Sequence, residues 1–367
     1  MLESPPAASQ KTSPSPRRSI YYWKCDRPAA FHGTTGQHHH ALLAPQVQTL
    51  IENHFNAPAE VHPGPGQGNH ITFTATCKNL PLFIRIDDSP EHDDYLAIES
   101  RLQQTVLALG IPTPVIHACD ATRSQVPFAW QIMQRIDAPD INHHFKNQQL
   151  NLPDISSSIG HAIAQWQTLQ PTGFGPFQTS LTSIHPTYPD YFFLHFERHL
   201  HYLTSTGFLT ETEAAAIEHE VLQHQSLLNL PQGCLVHKDL AFWNILGTPE
   251  KITAFIDWDD AICGDPMDDF SLLACFHNSE VLLPALEAYQ QTRPLPENHQ
   301  RRFWLHLLRN MLVKSVIRIG AGYFDRKDLY LNPHQTDLKT FTHQRLQTAL
   351  TGLRQASCIS QISNLKS

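Results

Sequence analysis

Polar residues of the kind used in phosphoryl transfer lie close together between residues 235 and 269 of this 367-residue chain. The stretch LVHKDLAFWNIL contains Asp239 and Asn244, and IDWDD follows with Asp257. Mg²⁺ prefers carboxylate and amide oxygens, and Asn244 and Asp257 supply both. Asp239 supplies a carboxylate that could accept the proton of an acceptor hydroxyl and aim its oxygen at a γ-phosphorus. The three residues in this order predict magnesium-dependent phosphoryl transfer, with Asp239 as the general base.

Short apolar runs around these residues indicate how the fold positions them. Strands are predicted at residues 235–236, 245–246 and 252–256, which puts the polar side chains in loops at strand ends. Upstream, the pattern over 59–133 predicts the order β-β-β-α-β-β, with a glycine-rich hairpin at 64–69. Beyond Ile141 the apolar periodicity predicts helices at residues 154–169, 188–205, 210–228, 266–276, 279–290, 297–320 and 337–355.

The composition disfavours several classes of protein. With 41% hydrophobic residues the chain can bury a full core, and its length predicts two lobes or two domains. A net charge of -8 disfavours binding to nucleic acid through a basic surface. No apolar run approaches the roughly 20 residues of a membrane-spanning helix, and the seven cysteines form no CxxC pair. We therefore expect a cytoplasmic protein that binds neither nucleic acid nor membrane, in an oligomeric state that the sequence leaves open.

The two ends of the chain are predicted to be tails, at residues 1–44 and 356–367. Residues 1–19 are rich in Ser, Thr and Pro and poor in large apolar side chains, so we expect them to be disordered. The next stretch, from Tyr21 to Phe31, is apolar enough to dock on the folded body or to cover a cleft. The sequence does not choose between these two roles.

The motifs resemble those of the aminoglycoside phosphotransferases and choline-kinase-like small-molecule kinases, over roughly residues 59–320. The similar stretches are VHKDLAFWNIL, IDWDDAICGDPMDDFS, GQGN and FIRI. The resemblance implies an α+β, two-lobed protein-kinase-like fold, with a small β-rich N-lobe that contains one helix and a larger, mostly helical C-lobe. We expect the nucleotide-binding N-lobe at 45–135 and the C-lobe, with the catalytic loop and acceptor pocket, at 136–355.

The same resemblance implies roles for residues on the nucleotide side. Gly66, Gly68 and Asn69 would form the loop over the triphosphate of ATP. Arg85 would bind the α- and β-phosphates, and Glu99 would orient it. Glu91, Asp93 and Asp94 are rival acidic partners for Arg85.

Other residues are expected to support the site. Met133 or Trp130 would lie beside the adenine ring, in the segment that joins the lobes. Asp269 would be a buried carboxylate that accepts hydrogen bonds from the backbone of the catalytic loop. We group His237 with Asp239 in the catalytic loop, as a residue that hydrogen-bonds the loop backbone and not as a base.

Further positions are predicted less specifically. Asp265 is predicted to cap a helix that begins at Pro266. Whether Lys238 touches phosphate is left open.

The identity of the phosphate acceptor stays open. Acidic residues within 139–230 suit a polycationic aminoglycoside, whereas the basic residues of the helix predicted at 297–320 suit an anionic or neutral hydroxylated acceptor. The sequence thus predicts an ATP- and Mg²⁺-dependent phosphotransferase acting on a hydroxyl, or an amine, of an aminoglycoside, amino sugar, sugar or amino alcohol. It does not distinguish ATP from GTP.

Two alternatives remain, a catalytically inactive nucleotide-binding protein of the kinase fold and a protein kinase. The second is disfavoured because Gly264-Asp265-Pro266 follows Asp257 too soon to leave room for a peptide platform.

Overall fold

The strands predicted between residues 59 and 133 form one antiparallel sheet in the computed structural model, which describes residues 16–26, 40–65, 70–89, 91–326 and 337–363. The strands are β1 (Ala59–Pro63), β2 (Ile71–Cys77), β3 (Leu80–Asp87), β4 (Ile116–Asp120) and β5 (Ala129–Gln134). Their order across the sheet is β1-β2-β3-β5-β4. Helix α2 (His40–Phe55) and helix α3 (Tyr95–Ala108) belong to the same part of the chain.

Local sequence explains the register of this sheet. Lys78 and Asn79 both have positive φ, 51° and 63°, as a two-residue turn requires where its backbone twist matches that of the strands it joins. The resulting register sets Arg85 of β3 opposite Thr72 and Gln131. Apolar side chains of α2 pack with those of the sheet in a core of their own. The predicted order β-β-β-α-β-β is confirmed.

The carboxyl-terminal part of the chain is mostly helical. Its helices are α4 (Ile141–Lys146), α5 (Leu152–Trp166), α6 (Tyr188–Phe192), α7 (Phe196–Ser205), α8 (Glu211–Gln223), α9 (Asp268–Ala274), α10 (Ser279–Thr292), α11 (His299–Gly320) and α12 (Leu338–Gln355). Helices α5 and α10 approach closely at Gly160, where a Cβ atom would lie 2.0 Å from the carbonyl oxygen of Ala285. Only glycine fits at that crossing.

Short strands bring the loops of this helical part together. A four-stranded sheet has the order β7-β6-β11-β8, and β9 pairs with β10 in a separate hairpin. The strands are β6 (Phe174–Phe177), β7 (Ser183–His185), β8 (Cys234–Val236), β9 (Ile245–Gly247), β10 (Ile252–Phe255) and β11 (Ile262–Gly264). Strands β8, β9 and β10 were predicted, whereas β6, β7 and β11 were not.

Two helix predictions need correction. The helix predicted at 188–205 is two helices, α6 and α7, because the chain turns at His195 with a left-handed φ of 54°. The helix predicted at 210–228 ends at Gln223 and continues only as a 3-10 turn, Gln225–Leu228. Among the helices of the described ranges, none is long and apolar enough to cross a membrane.

Residues 16–26, which we call the amino-terminal segment, dock on the folded body. The prediction of disorder up to residue 19 is therefore wrong for 16–19, which form a 3-10 turn, Pro16–Ser19. Arg17 is 3% exposed and stacks on the ring of Tyr95, 3.1 Å from its centroid. A short helix, α1 (Trp23–Asp26), ends the segment. Because Arg17 also donates to the carbonyl of Phe177, the segment contacts both the sheet part and the helical part of the chain.

Candidate active site

A cavity of about 760 Å³ lies between the antiparallel sheet and the helical part. Phe83, Arg85 and Met133 line it from the sheet side. The loops after β8 and β10 and helix α11 line the opposite side, with Asp239, Asn244, Asp257, Lys314 and Arg318. Five residues that the sequence singled out therefore line one cavity: Arg85, Met133, Asp239, Asn244 and Asp257.

The loop that follows β8 is held by buried hydrogen bonds. The backbone N–H of His237 donates to Oδ1 of Asp269 at 3.0 Å, and Nε1 of Trp166 donates to Oδ2 at 2.9 Å. Burial raises the pKa of Asp269 to about 7. The ring of His237 is also fully buried, with Nε2 3.0 Å from the carbonyl oxygen of Ile256. His237 therefore supports the loop, as predicted, and its side chain does not line the cavity.

The carboxylate of Asp239 is held on both of its oxygens. Asn244 Nδ2 donates to Oδ2 at 3.1 Å and to the backbone oxygen of Asp239 at 2.8 Å. Lys314 Nζ donates to Oδ1 at 2.9 Å, and the hydroxyl of Tyr22 donates to the same oxygen at 2.6 Å. Burial and the Asp239 carboxylate raise the pKa of Tyr22 well above its ordinary value, so the phenol keeps its proton and remains a donor.

Lys314 completes this arrangement, since its ammonium also donates to the Tyr22 hydroxyl at 2.8 Å. The ammonium supplies a positive charge beside a carboxylate that is only 3% exposed. The three side chains therefore form a closed, charge-balanced cluster in which Asp239 is fixed in orientation.

Arg85 and Glu99 form a buried ion pair at the wall of the cavity. Nη1 of Arg85 lies 2.5 Å from each carboxylate oxygen of Glu99. Of the rival acids, Asp93 accepts instead from the backbone N–H of Tyr95, and Asp94 lies beside Arg17. Glu99 is thus the acid that orients the Arg85 guanidinium.

Asp257 lies next to this ion pair. Nη2 of Arg85 is 3.4 Å from Oδ1 of Asp257 and 3.7 Å from Oδ2 of Asp259. Asp257 has a left-handed φ of 67°, a conformation that costs energy and turns the chain sharply after β10. The backbone N–H of Ile256 donates to the carbonyl of Asn244 at 3.0 Å, which links the Asn244 turn to the residue before Asp257. Asn244 and Asp257 therefore line one cavity, and their amide and carboxylate side chains are a donor set that suits Mg²⁺.

Only some of the residues predicted to contact the nucleotide line the cavity. Met133 lines the cavity, whereas Trp130 packs in the core between the sheet and α2. Gly66, Gly68 and Asn69 lie outside the described residues. Pro65, directly before them, lines the cavity.

Asp265 differs from its predicted role. Helix α9 begins at Asp268, so Asp265 does not cap a helix at Pro266. Its carboxylate accepts from the N–H of Met267 at 2.9 Å and lies 2.6 Å from Nη1 of Arg302 and 3.2 Å from Nε2 of His306. Although burial opposes ionisation, His306 and Arg302 lower the pKa of Asp265 to about 2. Asp265 therefore anchors α11 to the loop before α9.

Lys238 has a structural role. Its Nζ donates to Oδ2 of Asp268 at 2.7 Å and to Oδ1 of Asn310 at 3.0 Å. The side chain is fully buried and does not line the cavity. Lys238 therefore fastens the catalytic loop to α9 and α11.

Tyr22 and Lys314 are the site residues that sequence reasoning missed. Lys314 was visible only as one of several basic residues in a long helix. Tyr22 lies 217 positions from Asp239, in a stretch with no recognisable motif. The only signal in the sequence was the apolar character of the stretch that begins at Tyr21. That signal did not show where on the folded body the stretch would dock.

The sequence matches the model of the phosphotransferase enzyme family over residues 63–304. No curated protein sequence matches the chain at a significant level. Similar solved structures include that of aminoglycoside phosphotransferase APH(4)-Ia, with 17% identity and a TM-score of 0.60 over 84% of this chain and 98% of that one. A further structure of a thermostable mutant of that enzyme is a ternary complex with AMP-PNP and hygromycin B.

Two other similar structures are of proteins whose names indicate different substrates. The putative fructosamine-3-kinase from Haemophilus somnus has 14% identity and a TM-score of 0.57 over 83% of this chain and 96% of that one. The macrolide 2'-phosphotransferase MphH from Brachybacterium faecium has 14% identity and a TM-score of 0.56 over 85% and 98%. These likenesses confirm the expected α+β, kinase-like fold, with its sheet part and its mostly helical part. Because the family model covers more than half of the sequence, the chain belongs to the phosphotransferase enzyme family and is a small-molecule phosphotransferase.

Proposed function

We propose that this protein transfers the γ-phosphoryl group of ATP to a hydroxyl of a small molecule, with Asp239 as the general base. The observation that carries this proposal is the position of the Asp239 carboxylate, which lines the same cavity as Asn244, Asp257 and Arg85. In this cavity the Asp239 carboxylate is held in a fixed orientation. The side chains of Asn244 and Asp257 and the Arg85 guanidinium line the space beside it. Such an arrangement suits positioning and charge stabilisation, which dominate catalysis of phosphoryl transfer.

The proposed reaction assigns a step to each group. The acceptor hydroxyl gives its proton to Asp239 as its oxygen bonds to the γ-phosphorus, and the bond from that phosphorus to the β-phosphate oxygen breaks to release ADP. Arg85, oriented by Glu99, binds phosphate oxygens through its planar fork. Asn244 and Asp257 would hold Mg²⁺, which neutralises phosphate charge when bound.

Tyr22 and Lys314 act in this scheme as positioning residues. Both donate to Oδ1 of Asp239, so in this scheme Oδ2, which accepts the longer 3.1 Å bond from Asn244 Nδ2, takes the acceptor proton. Lys314 also offsets the charge of a carboxylate that has little access to water.

The likeness to proteins named for aminoglycoside, fructosamine and macrolide substrates supports a hydroxylated acceptor without selecting one. The alternative of a protein kinase is disfavoured by the chain after Asp257, because β11 and Asp265 follow within the helical core and leave no extended platform for a peptide. We place the boundary between the nucleotide-binding lobe, 45–135, and the catalytic lobe, 136–355, at the end of β5.

Transfer of labelled phosphate from ATP to a panel of hydroxylated compounds tests the proposal. The panel contains aminoglycosides, amino sugars, sugars, amino alcohols and a general protein substrate. We expect transfer to a small molecule that needs Mg²⁺ and is lost in Asp239→Asn. Nucleotide binding without any transfer would support the alternative of a catalytically inactive nucleotide-binding protein.

A further inference from the structure

The buried cationic side chains of α11 differ in the hydrogen bonds and ion pairs that they form. Arg309 donates from Nε to the carbonyl of Phe192 at 3.1 Å and from Nη2 to that of Leu194 at 2.7 Å, and its guanidinium stacks 3.7 Å from the ring centroid of Tyr21. Lys314 is paired with Asp239. Arg318 is just as deeply buried, at 2% exposure, but makes fewer contacts. Its Nη1 donates to Oγ1 of Thr342 at 2.6 Å, and its Nη2 has no hydrogen-bond partner.

No carboxylate balances the charge of Arg318 within the described part of the chain. Of the two groups that act on it, Cys275 is an uncharged thiol at neutral pH, and the charged one is another arginine, Arg345, which donates to the neutral side chain of Asn278 at 2.6 Å. Burial lowers the pKa of Arg318 to about 10, so the guanidinium is still charged at neutral pH. A buried cation with an unused donor and no counterion is costly to fold. A bound anion would remove that cost.

Arg318 faces the cavity that contains Asp239. Lys314, Ile317 and Arg318 of α11 line it, as does Ala321 directly after the helix, and this spacing defines a single stripe. Phe276 completes the wall, with its ring centroid 5.5 Å from the Arg318 guanidinium. The Arg318 side chain therefore belongs to a partly apolar end of the cavity that also contains the proposed catalytic carboxylate.

We propose that this end of the cavity is an oxyanion subsite, in which Arg318 binds a carboxylate or phosphate group carried by the acceptor. The inference rests on the proposed function, since it places the anion of the acceptor at Arg318 and its reacting hydroxyl at Asp239. A guanidinium with a free Nη2 suits an oxyanion, because a charge-assisted hydrogen bond and the net charge act together. A polycationic aminoglycoside would instead meet the unbalanced charge of Arg318 as a like charge.

Binding of matched sugars to the nucleotide-loaded protein tests this subsite. The probes are glucose, glucuronate, glucose 6-phosphate and glucosamine, which share a ring and differ in charge. Saturating AMP-PNP and Mg²⁺ keep the phosphate probe from the nucleotide side of the cavity. We expect glucuronate or glucose 6-phosphate to bind by calorimetry at least about tenfold more tightly than glucose and glucosamine. Comparison of the two anions shows whether the subsite takes a carboxylate or a phosphate.

Variants locate the effect at Arg318. Arg318→Gln should weaken binding of the preferred anion about 10- to 100-fold and leave AMP-PNP binding unchanged. Arg318→Lys should retain part of the affinity, since it keeps the charge but loses the planar fork. Arg345→Gln is the matched control, because it removes a neighbouring buried arginine that does not line the cavity, and anion binding should persist.

Two results of the binding experiments would overturn the inference. One is that neither anion binds the loaded wild-type protein better than glucose, and the other is that Arg318→Gln binds the anion as well as the wild type does. If Arg318→Gln fails to fold, the wild-type comparison of the four sugars still decides the matter. Binding of the anion through Arg318 with no phosphate transfer to any acceptor would leave the subsite standing and remove the proposed function. Transfer of phosphate to neutral or cationic acceptors alone would support the proposed function and remove the subsite.

Discussion

The hydroxyl of Tyr22 donates a 2.6 Å hydrogen bond to Oδ1 of Asp239, which joins the amino-terminal segment to the catalytic loop. The bond is buried, since Tyr22 is 1% exposed and Asp239 is 3% exposed. Lys314 donates to both residues, so the carboxylate is oriented by two donors from different parts of the chain. The segment before the sheet is thus part of the proposed active site.

Removal of this hydroxyl tests its positioning role. Tyr22→Phe should lower kcat about 3- to 30-fold, because a hydrogen bond to a charged group is lost while the Lys314 contact remains. The KM for ATP should not change, since Tyr22 does not line the cavity. Steady-state kinetics on the best acceptor measures both constants.

Tyr21→Phe is the matched control for that variant. The Tyr21 hydroxyl lies 3.3 Å from Nζ of Lys238 and does not contact Asp239. An equal loss of kcat in both variants would contradict a specific role for the Tyr22 hydroxyl.

Docking of the amino-terminal segment should make stability depend on pH through His199. Burial lowers the pKa of His199 from 6.5 to about 4, and its ring lies 3.0 Å from Asp26 of the segment and 3.0 Å from Nη1 of Arg309. The unfolded chain therefore takes up a proton below about pH 6.5 that the folded chain does not take up until about pH 4. This contribution to stability is complete above pH 6.5 and is lost as the pH falls toward 4.

Urea unfolding at about pH 7.5 and about pH 5 measures this contribution, which should amount to at most about 2 kcal/mol over that range. His199→Gln should show a smaller fall in stability between the two pH values than the wild type does. His201→Gln, an exposed position in the same helix, should behave like the wild type. Equal pH dependence in His199→Gln and the wild type would contradict the assignment.

The buried pair of Arg85 and Glu99 should matter for both folding and nucleotide binding. Glu99→Gln leaves the Arg85 guanidinium without the carboxylate that lies 2.5 Å away, so we expect about 3 kcal/mol less stability. Because Arg85 is then no longer held toward the phosphates, the KM for ATP should rise about tenfold. Glu60→Gln, at an exposed position of β1, is the control. An unchanged KM for ATP in a folded Glu99→Gln protein would exclude an orienting role for Glu99.

Mg²⁺ dependence tests the roles of Asn244 and Asp257. Chelation of divalent cations should abolish phosphate transfer, and Asp257→Asn should raise the Mg²⁺ concentration needed for half-maximal rate about tenfold or more, because a carboxylate ligand is lost. Asp154→Asn, exposed at the start of α5, should leave that concentration unchanged. The same Mg²⁺ requirement in Asp257→Asn and the wild type would place the metal elsewhere.

The sequence predicted much of the architecture because its signals were local. Short apolar runs mark neighbouring strands, and apolar periodicity marks the long helices. Strand Ile262–Gly264 was missed, and its place is set by pairing with β6 and β8 in the folded body. The break at His195 likewise depends on tertiary packing.

Sequence separation explains which site residues could be predicted and which were missed. Asp239, Asn244 and Asp257 lie within one short stretch of sequence, so their spacing could be interpreted. Tyr22 and Lys314 reach Asp239 across 217 and 75 positions, and no periodicity links them. The unbalanced charge of Arg318 could be recognised only after its surroundings were known, because most arginines in helices are solvated.

The most direct test of the account compares wild type and Asp239→Asn in two measurements, phosphate transfer from ATP to the best acceptor of the panel and binding of AMP-PNP. The account predicts that Asp239→Asn binds AMP-PNP with wild-type affinity and transfers phosphate at least about a hundredfold more slowly, because the group that receives the acceptor proton is gone. Near-normal transfer by a folded, nucleotide-binding Asp239→Asn protein would contradict the central role of this carboxylate.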